Sequence, residues 1–194
     1  MIRLYSILSL CLLIAACDQQ SIARSEFMGR VAQLCGNAYE GTIVSNDPQD
    51  DDWRAERIVM HVTDCSDDET RIRLYVGEDA SRTWILRDEG GQLALRHDHR
   101  HEDGTPDAIT MYGGPASTSL SNETNSGSRQ NFPADEATKE MFDREGIPAS
   151  KENIWAIEVR PVSNLFAYEM SRPGRYFRIE FNTGDPVVPP VTDD

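Results

Sequence analysis

The chain has 194 residues, 33 of them acidic and 19 basic, for a net charge of −14 at neutral pH. That charge argues against nucleic acid and anionic lipid headgroups as partners of the protein surface. With 39% hydrophobic residues, a chain of this length builds one core rather than several domains.

Met1-Ile2-Arg3 forms a short basic start, and Leu4 to Ile14 an apolar run of signal-peptide length, too short to span a bilayer comfortably. It ends in Ile14-Ala15-Ala16-Cys17, which resembles the lipobox of bacterial lipoproteins. The resemblance implies removal of residues 1–16, a diacylglyceryl thioether on Cys17 and an acylated amino terminus. Several acyl chains anchor stably where one is marginal. The implied address is the cell envelope, anchored to a membrane and facing the periplasm, with Asp18 favouring the inner membrane. Loss of Arg3 leaves the mature chain one charge more acidic.

Residues 17–36 read as the lipidated cysteine and a tether, in which Phe27, Val31 and Leu34 fall near helical spacing. Cys35 and Cys65 are the remaining cysteines, an even pair in an oxidising compartment. As a disulfide they would close a loop of about 30 residues, worth roughly 3–4 kcal/mol in the chain-entropy account; the alternative is two buried thiols.

From Tyr39 the pattern is mostly period two. Strands are expected over Tyr39–Ser45, around Ile58/Met60/Val62, around Ile72/Leu74/Val76, and through Trp84 and Leu86 to a turn at Glu89-Gly90-Gly91. The intervening run Asp47 to Asp52 lacks the alternating ligands and glycine of a calcium loop and reads as a solvated charge run. Leu93 and Leu95 lead into His97, His99 and His101, followed by turn chemistry from Glu102 to Asp107. Ile109–Tyr112 reads as a strand that Gly113-Gly114-Pro115 breaks, and the Ser/Asn/Gly-rich Ser117–Asn131 as a loop or as weak strands flanking a mobile tip.

Pro133–Glu145 is expected to be a helix, with Pro133 in its first turn, Gly146 at its C-cap, and Ala134, Ala137 and Met141 as its apolar stripe beside Phe142. Strands follow at Trp155/Ile157/Val159, Phe166/Tyr168/Met170 and Phe177/Ile179/Phe181, so that one β-rich domain covers 37–183. Residues 184–194 form a loose, extended acidic and proline-bearing tail. The aromatic set Trp84, Trp155, Phe166, Tyr168 and Tyr176 reads as core.

Sequential hairpins of about nine or ten strands with one short helix describe a mainly β protein, an up-and-down antiparallel β-barrel of lipocalin (calycin-like) architecture. A β-sandwich is the alternative. The Gly-x-Trp signature of lipocalins is missing; Tyr39-Glu40-Gly41 occupies the comparable place. The blocks Cys35–Gly41, Val76–Trp84, His97–Gly104, Thr110–Gly114 and Phe132–Asp135 resemble a family of uncharacterised secreted or lipid-anchored bacterial proteins. That resemblance implies no activity.

The histidines are the chief candidate for a site. Residues two apart on a strand share a face, so inward Leu93 and Leu95 carry His97, His99 and His101 inward with them. Arg96, Asp98 and Arg100 then face water. Buried imidazoles cost free energy unless they are hydrogen-bonded, hydrated or liganded. Same-face neighbours lie about 6.7 Å apart, which puts His97 about 13 Å from His101 and lets only an adjacent pair share one ion. A divalent metal on such a pair would need completion from Glu102, Asp103 or His61, although His61 is out of phase with the inward Met60. Haem is a weaker cofactor candidate, since no motif indicates it. No Gly-x-Ser-x-Gly elbow, P-loop or dinucleotide fingerprint appears, which leans away from an enzyme. The expected function is a membrane-anchored lipoprotein that binds a small ligand or metal inside the barrel. The alternatives are a metal-dependent enzyme using the histidines with Glu102 or Asp103 as acid or base, and a structural envelope protein.

Overall fold

The computed structural model describes residues 20–117 and 125–191. The expectations for the leader, Cys17 and Asp18 lie outside them. Ten strands form one antiparallel sheet: β1 (Ala38–Ile43), β2 (Ile58–Cys65), β3 (Glu69–Val76), β4 (Asp79–Glu89), β5 (Gln92–His99), β6 (Tyr112–Pro115), β7 (Arg129–Pro133), β8 (Ile154–Arg160), β9 (Leu165–Arg172) and β10 (Arg175–Val187). Their order, β6-β5-β4-β3-β2-β1-β10-β9-β8-β7, is an up-and-down meander curled until β6 and β7 approach one another. Two backbone hydrogen bonds bracket this seam, from Ser117 N to the Asn131 carbonyl at 3.0 Å and from Asp135 N to the Gly113 carbonyl at 2.9 Å. The result is a nearly closed barrel, as the alternation of the sequence predicts.

Alternation puts one face of each strand inside. Met60 and Val62, Ile72 and Leu74, Trp84 and Leu86, Ile157 and Val159, and Ile179 and Phe181 join a single apolar core. Two helical segments sit at opposite ends. Helix α1 spans 20–32 and buries Phe27 and Val31, one turn apart. It meets the β4–β5 turn through Arg24, which pairs with Asp88 at 2.7 Å and donates to the Gly91 carbonyl. The Cys35–Cys65 disulfide ties the segment after α1 to the end of β2, with Cα atoms 6.2 Å apart. At the other end the acidic run is mostly exposed, as expected of a solvated charge run, but it is helical rather than a loop and Asp50 departs from the exposure. Pro48–Asp50 forms a 3-10 turn leading into α2 (Asp51–Arg54), and Asp50 is buried.

Gly113-Gly114-Pro115 does not break a strand but forms most of β6, paired with β5. The glycines are there because backbone crowds the position from both sides. A Cβ on Gly113, whose φ is 146°, would lie 1.9 Å from the Leu95 carbonyl oxygen, and one on Gly114 would lie 2.1 Å from that of Pro133. The following helix is also shorter than expected. Pro133 ends β7, and α3 covers Glu136–Arg144, with the Asp135 carboxylate accepting from Thr138 N as N-cap. Its buried face is Thr138 and Phe142 rather than Ala137. Thr138 explains the rotation, because its hydroxyl both accepts from Gly113 N and donates to the Gly113 carbonyl, each at 2.9 Å, sealing α3 to β6. At the far end, β10 continues past residue 183, where Pro186 and Val187 pair with Tyr39 and Ala38.

Candidate functional site

β5 carries the histidines as its phase requires, up to the end of the strand. Leu93, Leu95 and His97 are buried, and His99 is partly so. His101 lies beyond the strand, exposed in the 101–105 turn on the rim of an outer-surface groove with Arg71 and Arg100. The chain leaves extended geometry after His99, so the expectation that His101 points inward is corrected. The opposite face of β5 is not open to water either. Arg96 pairs with Glu89 and with Asp135 at 2.7 Å, and Asp98 is buried, accepting from Arg100 at 3.0 Å and Thr110 at 3.1 Å. The cause is the connection 105–111, which folds back along β5, with Asp107 N bonded to the His99 carbonyl and Met111 N to that of His97.

His97 is satisfied internally. Its Nδ1 lies 3.2 Å from the Tyr112 carbonyl oxygen and its Nε2 2.8 Å from the Tyr168 hydroxyl. A carbonyl only accepts, so Nδ1 carries the proton and Nε2 accepts from Tyr168. Burial pushes its pKa down to about 3, helped by His99 and Arg96 and opposed by the Tyr112 carbonyl bond. The ring is therefore neutral at physiological pH. It stacks on Tyr112 at 4.6 Å and lies 4.9 Å from Trp155. The Tyr112 hydroxyl shares a hydrogen bond with His99 Nε2 at 3.1 Å. Burial raises both tyrosine hydroxyls above their ordinary range. Burial and then the charge of Arg82 lower His99, against the pull of Asp107, Asp79 and Asp98.

This ladder forms one wall of a cavity of about 400 Å³, within the range of small-molecule sites. Trp84 and Tyr168 stack at 4.2 Å with nearly parallel planes, and Trp155, Tyr112 and Phe142 continue the aromatic lining. Of the aromatic set read as core, Trp84, Trp155 and Tyr168 line this space, Phe166 is buried core, and Tyr176 points outward with 46% exposure. The mouth is polar. Arg175 meets both carboxylate oxygens of Asp50 and reaches Asp47 at 3.2 Å. Arg82 pairs with Asp79 and lies 4.9 Å over the Trp53 ring.

The other predicted ligands stand apart from this space. His61 is paired with Ala38 and Arg73 on the outer side of β2, where burial and Arg73 lower its pKa. Glu102 and Asp103 are exposed, and Asp103 accepts from Thr105 N and Oγ1 within its own turn. Among the described residues, no group of three or more His, Cys, Asp or Glu side chains is placed to hold a metal ion. Sequence reasoning missed Arg82, Asp50, Trp53 and Arg175. Arg82 left a readable signal, since it lies two residues from inward Trp84 on one strand; Asp50, Trp53 and Arg175 come from a 3-10 turn, a four-residue helix and a strand end, all too short for periodicity to speak.

Fold and site together define an up-and-down β-barrel with an aromatic, histidine-walled internal cavity. The chain matches no protein-family profile, and searches of curated proteins and of solved structures found no significant match.

Proposed function

We propose that this protein is a lipid-anchored, periplasm-facing barrel that holds a small organic ligand in its interior. One observation carries the reading: an aromatic cavity of about 400 Å³ with a neutral, fully bonded histidine deep inside and a polar mouth. A chain with no use for that space would fill it, because interiors pack to near-crystalline density. The lipobox-like Ile14-Ala15-Ala16-Cys17 supports the anchor, and the Cys35–Cys65 disulfide agrees with an oxidising compartment.

Anchor and cavity also fit each other geometrically. Residue 20 is already helical, so an acylated Cys17 would be leashed to α1 by about 10 Å of chain at most. α1 meets the barrel beside Asp88, whereas the cavity mouth lies beside Arg82 on the same strand, roughly 20 Å away. The plugged end would therefore rest at the membrane and the mouth would open away from it. Native mass spectrometry of the full chain released from its own membrane tests both parts. The expected spectrum carries the acyl mass on Cys17 and a non-covalent small-molecule adduct. An unmodified Cys17 would overturn the anchor, and a bare protein the ligand.

A further inference from the structure

Resting on the cavity reading above, we propose that the ligand is an organic anion: a flat apolar body lying among Trp84, Tyr168 and Trp155, with a single acidic group turned toward Arg82 and His99 at the mouth. The lining contains three charged side chains, Asp50, Arg82 and Arg175. Two of them cancel. Arg175 grips both oxygens of Asp50 and also reaches Asp47, so its guanidinium is shared between two carboxylates and offers no spare face to an anion. Aromatic walls attract cations, but at the mouth that role is already filled by Arg82 over Trp53.

Arg82 remains as the recognising charge. It projects from β4 on the same face as Trp84, two residues nearer the mouth. Its bond to Asp79 engages Nη1, one end of a group with five N–H donors, and the side chain, 25% exposed overall, is part of the cavity lining. His99 stands directly across from it in the β4–β5 register. An acidic group seated between the two would accept from the guanidinium and sit beside an imidazole that Arg82 now disfavours as a cation. Deeper in, His97 uses both ring nitrogens on Tyr112 and Tyr168, while Ser150 Oγ and Asn153 Oδ1 in the lining accept from Arg172. An apolar inner part fits these engaged polar atoms and the aromatic wall. The Trp84–Tyr168 pair, stacked with an interplanar angle of 11°, presents a flat wall that suits a planar ring system.

An isosteric pair of probes separates charge from shape. Naphthalene-2-carboxylate and naphthalene-2-carboxamide are titrated calorimetrically into the full chain in detergent, with micelle blanks. The carboxylate is expected to bind at least about tenfold more tightly, the margin of a charge-assisted over a neutral hydrogen bond. Arg82→Gln should abolish that preference, Arg82→Lys should retain most of it, and Arg71→Gln on the outer face should leave both affinities unchanged. Equal affinities, or a preference that survives Arg82→Gln, would overturn the anion proposal while leaving the cavity reading standing. If neither probe binds, the cavity reading falls with it. Retention of the preference in Arg82→Lys guards against a merely misfolded glutamine variant.

Discussion

His97 is a base that the fold keeps from acting as one. Unfolded, its imidazole titrates near its ordinary 6.5; folded, it takes up a proton only at about 3. The unfolded state therefore binds more protons as pH falls through that window, and stability drops by up to about 1.4 kcal/mol per pH unit from this group alone. Above pH 6.5 the penalty is absent. His97→Phe has no proton to gain, so it should remove this part of the acid sensitivity. It should also cost about 1–3 kcal/mol near neutrality, because the buried Tyr168 hydroxyl loses its acceptor. Urea unfolding of both proteins at about pH 7 and about pH 4.5 checks this. Equal losses on acidification would contradict it. The inward course of His97 was legible from Leu93 and Leu95, since a buried strand face fixes side-chain phase. Its partners were not, because Tyr168 lies 71 positions away and meets it only across the closed barrel.

The seam between β6 and β7 is where local sequence rules mislead. Gly-Gly-Pro reads as a break, and Pro133 as the start of a helix, yet both belong to strands that close the barrel. Turn propensity describes what a glycine permits, not what its neighbours demand, and here carbonyl oxygens crowd it from both sides. Gly114→Ala should accordingly cost about 1–3 kcal/mol or more, as overpacking does, by forcing β6 away from the Pro133 carbonyl. A shift in the urea midpoint at unchanged slope measures the loss. A variant with the wild-type midpoint would show that the seam yields freely. β2 to β5 and β8 to β10 were readable because their inward positions are large and apolar at every second residue, although the outer faces of β8 and β9 are also buried.

At the scale of the molecule, the ten-stranded meander yields a container with two unlike ends. One is stoppered by α1 and stapled by the Cys35–Cys65 disulfide. The other is rimmed by α2, the β5–β6 connection and the arginines at positions 82 and 175. Composition and alternation were enough to anticipate the barrel. The cavity was not readable in the same way, because an empty interior is a matter of side-chain volumes summed over strands distant in sequence. If the protein works as proposed, this interior, and not an outer groove, receives the ligand. Ile109 lines the cavity from the β5–β6 connection, and Ile109→Trp would fill part of that space. The deciding measurement is a calorimetric titration of wild type and Ile109→Trp with naphthalene-2-carboxylate, alongside their thermal unfolding. The wild type should bind, the variant should not, and their melting temperatures should be closely similar; undiminished binding by a folded Ile109→Trp protein would place the ligand elsewhere.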